Sequence, residues 1–466
     1  MPTRASAAQV RINWSQKSSP AHRCLANPVF PEALFPAYRR LSRVSRSAAR
    51  RTTERGQLFQ TGAVLCAALG IDTDLTLIYQ LFALCIAIII VSRLSLRIHQ
   101  PNVTLVRHLP RFGTVGEPFV YYLRLTNAGD QVENGIRLVD NPMVRTPTAA
   151  EFQAEKEPFE ETRNAYDRKI GFHRYLYLQR KKTGIATEPS DAPPLGRRAA
   201  IDVSVKATPV RRGIVTLASI SVLHPDPIGL NYGVQDHAIR DDLLVLPKRY
   251  VVPASFNLPG GRHLQPGGVN AAFAIGESDE FVSLRDYRDG DPVRKIHWAS
   301  SAKRDTPVVK EYQDEFYVRQ ALVLDTCTES LSVLEEAVSV AASFAMRLDS
   351  ADGLLDLIFF NDKPQFVTTG RGFSDASQQL AALATIRANN APFDDTARVV
   401  IAHAPRICGC ILVLAKWDDE RQALMQRLEQ MSVPVVCLVV GLEQPDVPAG
   451  VHGLTVGNIE AGLAVL

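Results

Sequence analysis

The sequence contains no Gly-x-Ser-x-Gly elbow and no glycine-rich phosphate-binding loop. Neither an elbow-mounted serine nucleophile nor a backbone cradle for nucleotide phosphates is therefore encoded in recognisable form. Its seven cysteines are odd in number and never spaced Cys-x-x-Cys, which argues against a disulfide framework or a zinc site and fits reduced, cytoplasmic surroundings. An excess of one charge is missing too. Against 52 basic residues stand 49 acidic ones, a formal net charge of +3, too balanced to mark a nucleic-acid binder. Residues 1–38 hold no continuous apolar run, so no signal peptide is expected there.

Long apolar runs occur in one place. Leu58 to Ile71 reads LFQTGAVLCAALGI, and after Asp72-Thr73-Asp74 a second run, LTLIYQLFALCIAIIIVS, extends from Leu75 to Ser92. The second approaches the roughly 20 residues that a bilayer core requires. Together they predict a transmembrane α-hairpin over 56–93. Arg39, Arg40, Arg43, Arg46, Arg50, Arg51 and Arg55 precede it, and Arg93, Arg97, Arg107 and Arg111 follow. With acidic residues between the runs, the positive-inside rule puts both ends in the cytoplasm. Residues 1–55, rich in Ser, Ala, Pro and Arg, are expected to be a disordered basic segment. Its arginines either attract anionic lipid head groups or serve only as a topogenic flank.

Beyond the hairpin, Phe119 to Asn127, Ile136 to Asp140, Ile201 to Val205 and Ile214 to Leu217 alternate as half-buried strands do. They predict an antiparallel β-sandwich over 98–250. A charged, helix-favouring insertion around 145–195 carries Phe152, Phe159, Tyr166, Phe172 and Tyr175. It is either a partner-facing element or a cover over a sheet edge. In 320–466, Gln320 to Asp325 is a nearly continuous apolar run, as suits a strand buried on both faces. Helical and strand patterns then alternate, which predicts a doubly wound α/β domain.

Between these lies a dense polar segment. Glu277 to Glu315 holds seven basic and ten acidic side chains around Tyr287, His297 and Trp298. Phe281 to Leu284 reads as strand, and Asp291-Pro292 reads as a helix start. From there Val293, Ile296 and Ala299 fall on one helical face. Arg294 and Trp298, four apart, would be helical neighbours able to stack. Arg285 and Asp291 are placed to pair, and His297 to hydrogen-bond to backbone. A hydrolytic alternative would combine His297 with Asp291 and Ser300 or Ser301. Phosphate contacts from Arg285, Arg288, Arg294, Lys295, Lys303 and Arg304 are offset by the acidic residues among them, so no nucleic-acid partner is expected.

The run Glu280-Phe281, Leu284-Arg285-Asp286-Tyr287, Gly290-Asp291, Arg294, Ile296-His297-Trp298 and Ser301-Ala302 resembles the signature of the bacterial domain-of-unknown-function 58 family. Pro209 to Gly213 and Asp226 to Leu230 resemble that family's two upstream marks. The resemblance implies a multidomain protein of the bacterial cytoplasmic membrane: hairpin, sandwich, a signature segment over 251–319, and a von Willebrand factor A-like domain over 320–466. It implies a non-enzymatic scaffold or adaptor in cell-envelope maintenance or complex assembly. The implied partners are a MoxR-type AAA+ ATPase and a transglutaminase-like membrane protein, besides the lipid bilayer. The expected docking residues are Arg285, Tyr287, Gly290, Asp291, Arg294, Ile296, His297, Trp298 and Ser301, with no catalytic residue and no cofactor. The A-domain metal motif Asp-x-Ser-x-Ser is replaced by Asp325-Thr326-Cys327-Thr328-Glu329. A thiol suits magnesium poorly, so no metal is expected; divalent-cation binding through Asp325 is the alternative.

Overall fold

Three helices precede the first strand: α1 (Phe30–Arg51), α2 (Glu54–Leu69) and α3 (Thr76–Ile98). The computed structural model describes residues 30–69, 76–154, 157, 160–253, 256, 281–289, 291, 293–304, 306–312, 318–348, 353–361, 363–370, 376–389 and 392–466. Disorder, expected over 1–55, does not extend to α1. Phe35 and Tyr38 lie on one face of this helix and enter an aromatic cluster with Phe152, Phe172 and Tyr175. Burying that face offsets the ordering cost of an otherwise polar helix. Residues 1–29 lie outside the described residues.

Helices α2 and α3 pack on each other, with Ala63 and Cys85 buried. Leu77–Ile98 is long and apolar enough to cross a membrane, and it is the one such helix among the described residues. Leu77, Leu81, Leu84, Ile90 and Leu94 are exposed along it, as lipid contact requires.

The next unit contains β1 (Val103–His108), β2 (Phe112–Thr114), β3 (Phe119–Asn127), β4 (Arg137–Pro142), α4 (Ala149–Ala154), α5 (Ala165–Ile170), α6 (Phe172–Thr183), β5 (Ile185–Thr187), β6 (Ser190–Asp191), β7 (Ala200–Pro209), β8 (Gly213–Pro225), β9 (Tyr232–His237) and β10 (Asp241–Leu246). One sheet has the order β1-β3-β7-β5, the other β2-β10-β8-β4-β6, with β9 paired to β8. Pairing is antiparallel except between β2 and β10, which run parallel. Strand β3 buries Tyr121, Leu123 and Leu125 and exposes Val120 and Tyr122, so period-2 alternation feeds one core shared with Leu138, Leu217, Val222 and Val245 of the other sheet.

A charged knot crosses that core. Arg107 on β1 donates to both oxygens of Asp140 on β4 (2.7 and 2.8 Å) and to Asp241 on β10 (2.6 Å). The Tyr121 hydroxyl donates to Asp140 at 2.6 Å, and burial pushes that phenol's pKa far up. In the sequence Arg107 reads as part of the basic membrane flank; in the fold it ties two sheets together. In the insertion, α4 and α6 pack against α1, and α6 also lies against β5, the edge strand of its sheet, as the edge-cover reading expects. Phe152 and Tyr175 are buried there while Tyr166 is exposed, and Phe159 lies outside the described residues.

The chain then forms β11 (Phe281–Asp286), α7 (Trp298–Arg304) and β12 (Val308–Tyr312), followed by β13 (Val318–Leu324), α8 (Leu331–Leu348), β14 (Gly353–Phe360), β15 (Pro364–Thr369), α9 (Ala376–Thr385), α10 (Phe393–His403), β16 (Gly409–Leu414), α11 (Asp419–Gln430), β17 (Val435–Gly441), β18 (Val451–Thr455) and α12 (Ile459–Leu463). Strands β13 to β18 make one sheet of order β15-β14-β13-β16-β17-β18, parallel except at the β15 edge. Leu322 and Leu324 of β13 face a core with α8, α9 and α12, whereas Ala321 and Val323 face a core with α10 and α11. Burial on both faces explains the unbroken apolar run.

Candidate functional site

The signature folds on itself. Strands β11 and β12 pair antiparallel, with Arg285 opposite Val309 and Asp286 opposite Val308. The turn after β11 is closed by Arg285, whose guanidinium donates to both Asp291 oxygens at 2.6 and 2.7 Å, and by the Arg288 amide at 2.9 Å. These bonds, Arg285 first, hold the Asp291 carboxyl down at about 2. The Tyr287 amide donates to the Pro307 carbonyl at 2.9 Å. Ser301 then staples α7 to β12: its hydroxyl donates to the His297 carbonyl at 3.0 Å and accepts from the Val308 amide at 2.9 Å. Ile296 bridges Val309, and Val308 and Val309 are buried beneath.

The pairing expected of Arg285 and Asp291 is present, as is a backbone bond from the His297 amide to the Val308 carbonyl, 2.8 Å. The expected helix is not continuous. A 3₁₀ turn spans Val293–Lys295, Ile296 is drawn into its bridge with Val309, and α7 starts only at Trp298. Val293, Ile296 and Ala299 therefore do not share a buried face, and Arg294 and Trp298 do not sit one turn apart on one helix. Gly290 and Pro292 lie outside the described residues. For the hydrolytic alternative, His297 Nδ1 meets Ser300 Oγ at 2.7 Å, but both oxygens of Asp291 are engaged by Arg285.

Asp291 makes the turn sensitive to acid. Because its folded pKa is depressed, its stabilising contribution is full above the ordinary carboxylate value, about 4, and is lost as pH falls through about 2. With Trp14→Phe and Trp417→Phe in place, Trp298 fluorescence is expected to shift between those limits. Asp291→Asn should give the acid-state signal already at neutral pH. A flat profile in the parent would remove the assigned role of the pair.

The two upstream marks turn out to be joints. Arg212, ahead of β8, is buried and pairs with Glu335 on α8, and it donates to the Ile386 carbonyl after α9 at 3.0 Å. Burial lowers its pKa. This fastening of the two-sheet unit to the α/β unit lies outside the signature. At the other end of β8, Asp226 Oδ1 accepts from the amides of Leu230 (2.7 Å) and Asn231 (3.3 Å). The loop so shaped receives the Thr53 hydroxyl at the Gly229 carbonyl (2.7 Å), and Asn231 donates to Ser92 on α3 at 2.7 Å. Sequence reading missed Thr53 and Ser92, because a lone hydroxyl near an apolar run carries no pattern.

At the C-terminal end of β13, Asp325 is 1% exposed and meets Arg421, 0% exposed, at 2.7 and 2.8 Å. The Cys327 amide donates to its other oxygen at 2.9 Å. Arg421 lies 4.2 Å over the Phe393 ring and also pairs with Asp418 at 2.6 Å. A guanidinium thus supplies the positive charge that a divalent cation at Asp325 would bring. Among the described residues no cluster of three His, Cys, Asp or Glu side chains is arranged to hold a metal. Arg421 gave no sequence signal, since an arginine in Asp418-Asp419-Glu420-Arg421 reads as a solvated helix start.

No curated protein matches the chain. Among solved structures, the CARDB domain of the PF1109 protein from Pyrococcus furiosus is 10% identical, covering 31% of this chain and 93% of that one at a TM-score of 0.16. The SrpA adhesin from Streptococcus sanguinis is 16% identical, covering 34% and 69%, also at 0.16. Likenesses of that size carry no argument. Residues 283–409 match the family model described as protein of unknown function DUF58, a span running from inside β11 to the start of β16. The signature and this match together assign residues 283–409 to the DUF58 family.

Proposed function

We propose that the chain is a membrane-anchored interaction scaffold with no catalytic role of its own, docking a partner through its signature segment. The observation that carries this is a division of labour within the signature. Arg285, Asp291 and Ser301 are spent on closing the fold, whereas Trp298 and Val293 stand 66% and 62% exposed on it. Tryptophan and arginine dominate interface hot spots, and Arg294 is exposed beside Val293.

The membrane-spanning character of α3 supports anchoring, and the flanking arginines support a two-helix hairpin with both ends cytoplasmic. The sheet order with one antiparallel edge strand supports a von Willebrand factor A-like reading of the last unit. The guanidinium at Asp325 favours docking without a metal ion over the cation-dependent alternative. Family resemblance names the partner as a MoxR-type AAA+ ATPase, alongside a transglutaminase-like membrane protein.

Co-purification from native membranes tests the reading. Trp298→Ala and Arg294→Glu are each expected to lower the recovered ATPase at least about tenfold. The stability of Trp298→Ala should change by no more than about 0.5 kcal/mol, as with surface substitutions. Equal recovery from parent and variants would end the docking assignment.

A further inference from the structure

A cleft of about 590 Å³ lies between α1 and the helical insertion. Arg39, Arg40 and Arg43 line it from α1, Thr146 and Pro147 from the loop ahead of α4, and Tyr175 from α6. Arg39 and Arg43, four apart, are neighbours on the helix, and like charges at that spacing repel. Among the described residues no carboxylate pairs with any of the three arginines. The insertion treats its own cations differently: Arg163 pairs with Glu157, Arg174 with Glu160 and Lys182 with Glu151.

A second observation points the same way. Tyr175 is 1% exposed, and its hydroxyl is buried without a hydrogen-bond partner. Buried hydroxyls are normally satisfied, and an orphan calls for a specific cause. The neighbouring phenol of Tyr38 is satisfied, by the Ile170 carbonyl, whereas that of Tyr175, a residue lining the cleft, is open.

We propose that this cleft binds a phosphate-bearing anion. Phosphate oxygens match the planar fork of a guanidinium and are strong acceptors for a phenolic donor. One bound group would relieve the repulsion between Arg39 and Arg43 and satisfy the Tyr175 hydroxyl together. The source is an anionic lipid head group or a soluble phosphate. Helix α1 passes through Thr52 and Thr53 directly into α2 of the apolar hairpin, which favours the lipid.

The full chain serves for the test, in detergent and in phosphatidylcholine nanodiscs with or without phosphatidic acid. Pyrophosphate is titrated calorimetrically into the detergent sample, and hydrogen exchange of α1 and α6 is compared between the discs. Exchange protection by phosphatidic acid alone assigns the lipid; saturable pyrophosphate binding assigns a soluble phosphate. Either effect is expected to weaken at least about tenfold, some 1.4 kcal/mol, in Arg39→Gln/Arg43→Gln and in Tyr175→Phe. The Tyr175→Phe variant should melt like the parent, because it removes a hydroxyl that bonds to no protein group. Absence of both effects in the parent, or undiminished binding in either variant, overturns the proposal.

Discussion

Arg421→Ala is expected to destabilise the α/β unit by about 3–5 kcal/mol, because it strands a buried carboxylate. Asp325 is shielded from water by the sheet ends of β13 and β16, and the Cys327 and Ala415 amides alone would remain to bond it. The same substitution removes the cation from the face of Phe393, 4.2 Å away, and releases Asp418. Trp417, partly buried in the adjoining core, reports the loss by its fluorescence during denaturant unfolding. Asp325→Asn together with Arg421→Met should cost less than the sum of its parts, since neither charge is then left alone. Chelators are expected to leave the parent's midpoint in place. A loss under about 1 kcal/mol in Arg421→Ala, against the magnitude typical of broken buried pairs, would show that Arg421 is not what neutralises Asp325. A shift with EDTA would restore the cation-dependent reading.

The second large effect is expected at Gly56. A Cβ built there would stand 1.8 Å from the Leu230 carbonyl oxygen, a backbone atom that cannot turn aside. Gly56→Ala must therefore push α2 away from the loop that Asp226 shapes, breaking the Thr53 bonds to Gly229 and Leu230. The cost should reach or exceed the roughly 1–3 kcal/mol of ordinary overpacking. Trypsin cleavage at Arg51 and Arg55, on either side of the joint, should accelerate in proportion. Gly229→Ala is the control. Its φ of +77° strains an alanine, yet nothing lies within 4 Å of the added atom. That substitution should cost only about 1–2 kcal/mol and leave the cleavage pattern unchanged. Equal proteolysis of Gly56→Ala and the parent would show that the close approach does not hold the hairpin.

What the sequence disclosed follows from the range of the forces involved. The alternation in Phe119 to Asn127 and the apolar run at β13 were readable because burial repeats with the local period of the strand. The two-sheet core and the strand–helix alternation of the last unit followed from such runs. The signature was legible as a motif, but its helix start was misplaced. Asp291-Pro292 looks like a cap in isolation, and a 3₁₀ turn does follow at Val293–Lys295, but the bridge between Ile296 and Val309 interrupts it and delays the α-helix to Trp298. Contacts made across long separations left no local trace. Tyr38 meets Ile170 132 residues away, and Arg421 meets Asp325 96 residues away. In each case the side chain, taken alone, is an ordinary tyrosine or arginine on a polar helix.

Strand β8 begins one residue after Arg212 and ends one residue before Asp226, so both joints sit on a single strand of 13 residues, roughly 40 Å long at strand rise, with one register shift against β4 between Leu217 and Ser219. It is hydrogen-bonded along its length by β10, β4 and β9, and the Arg107 knot stops the sheet that carries it from sliding on its neighbour. In mechanical terms it is a strut. A load applied to the α/β unit at Arg212 reaches the hairpin at Thr53 and Ser92 along a covalent, braced line, without passing through the signature at all.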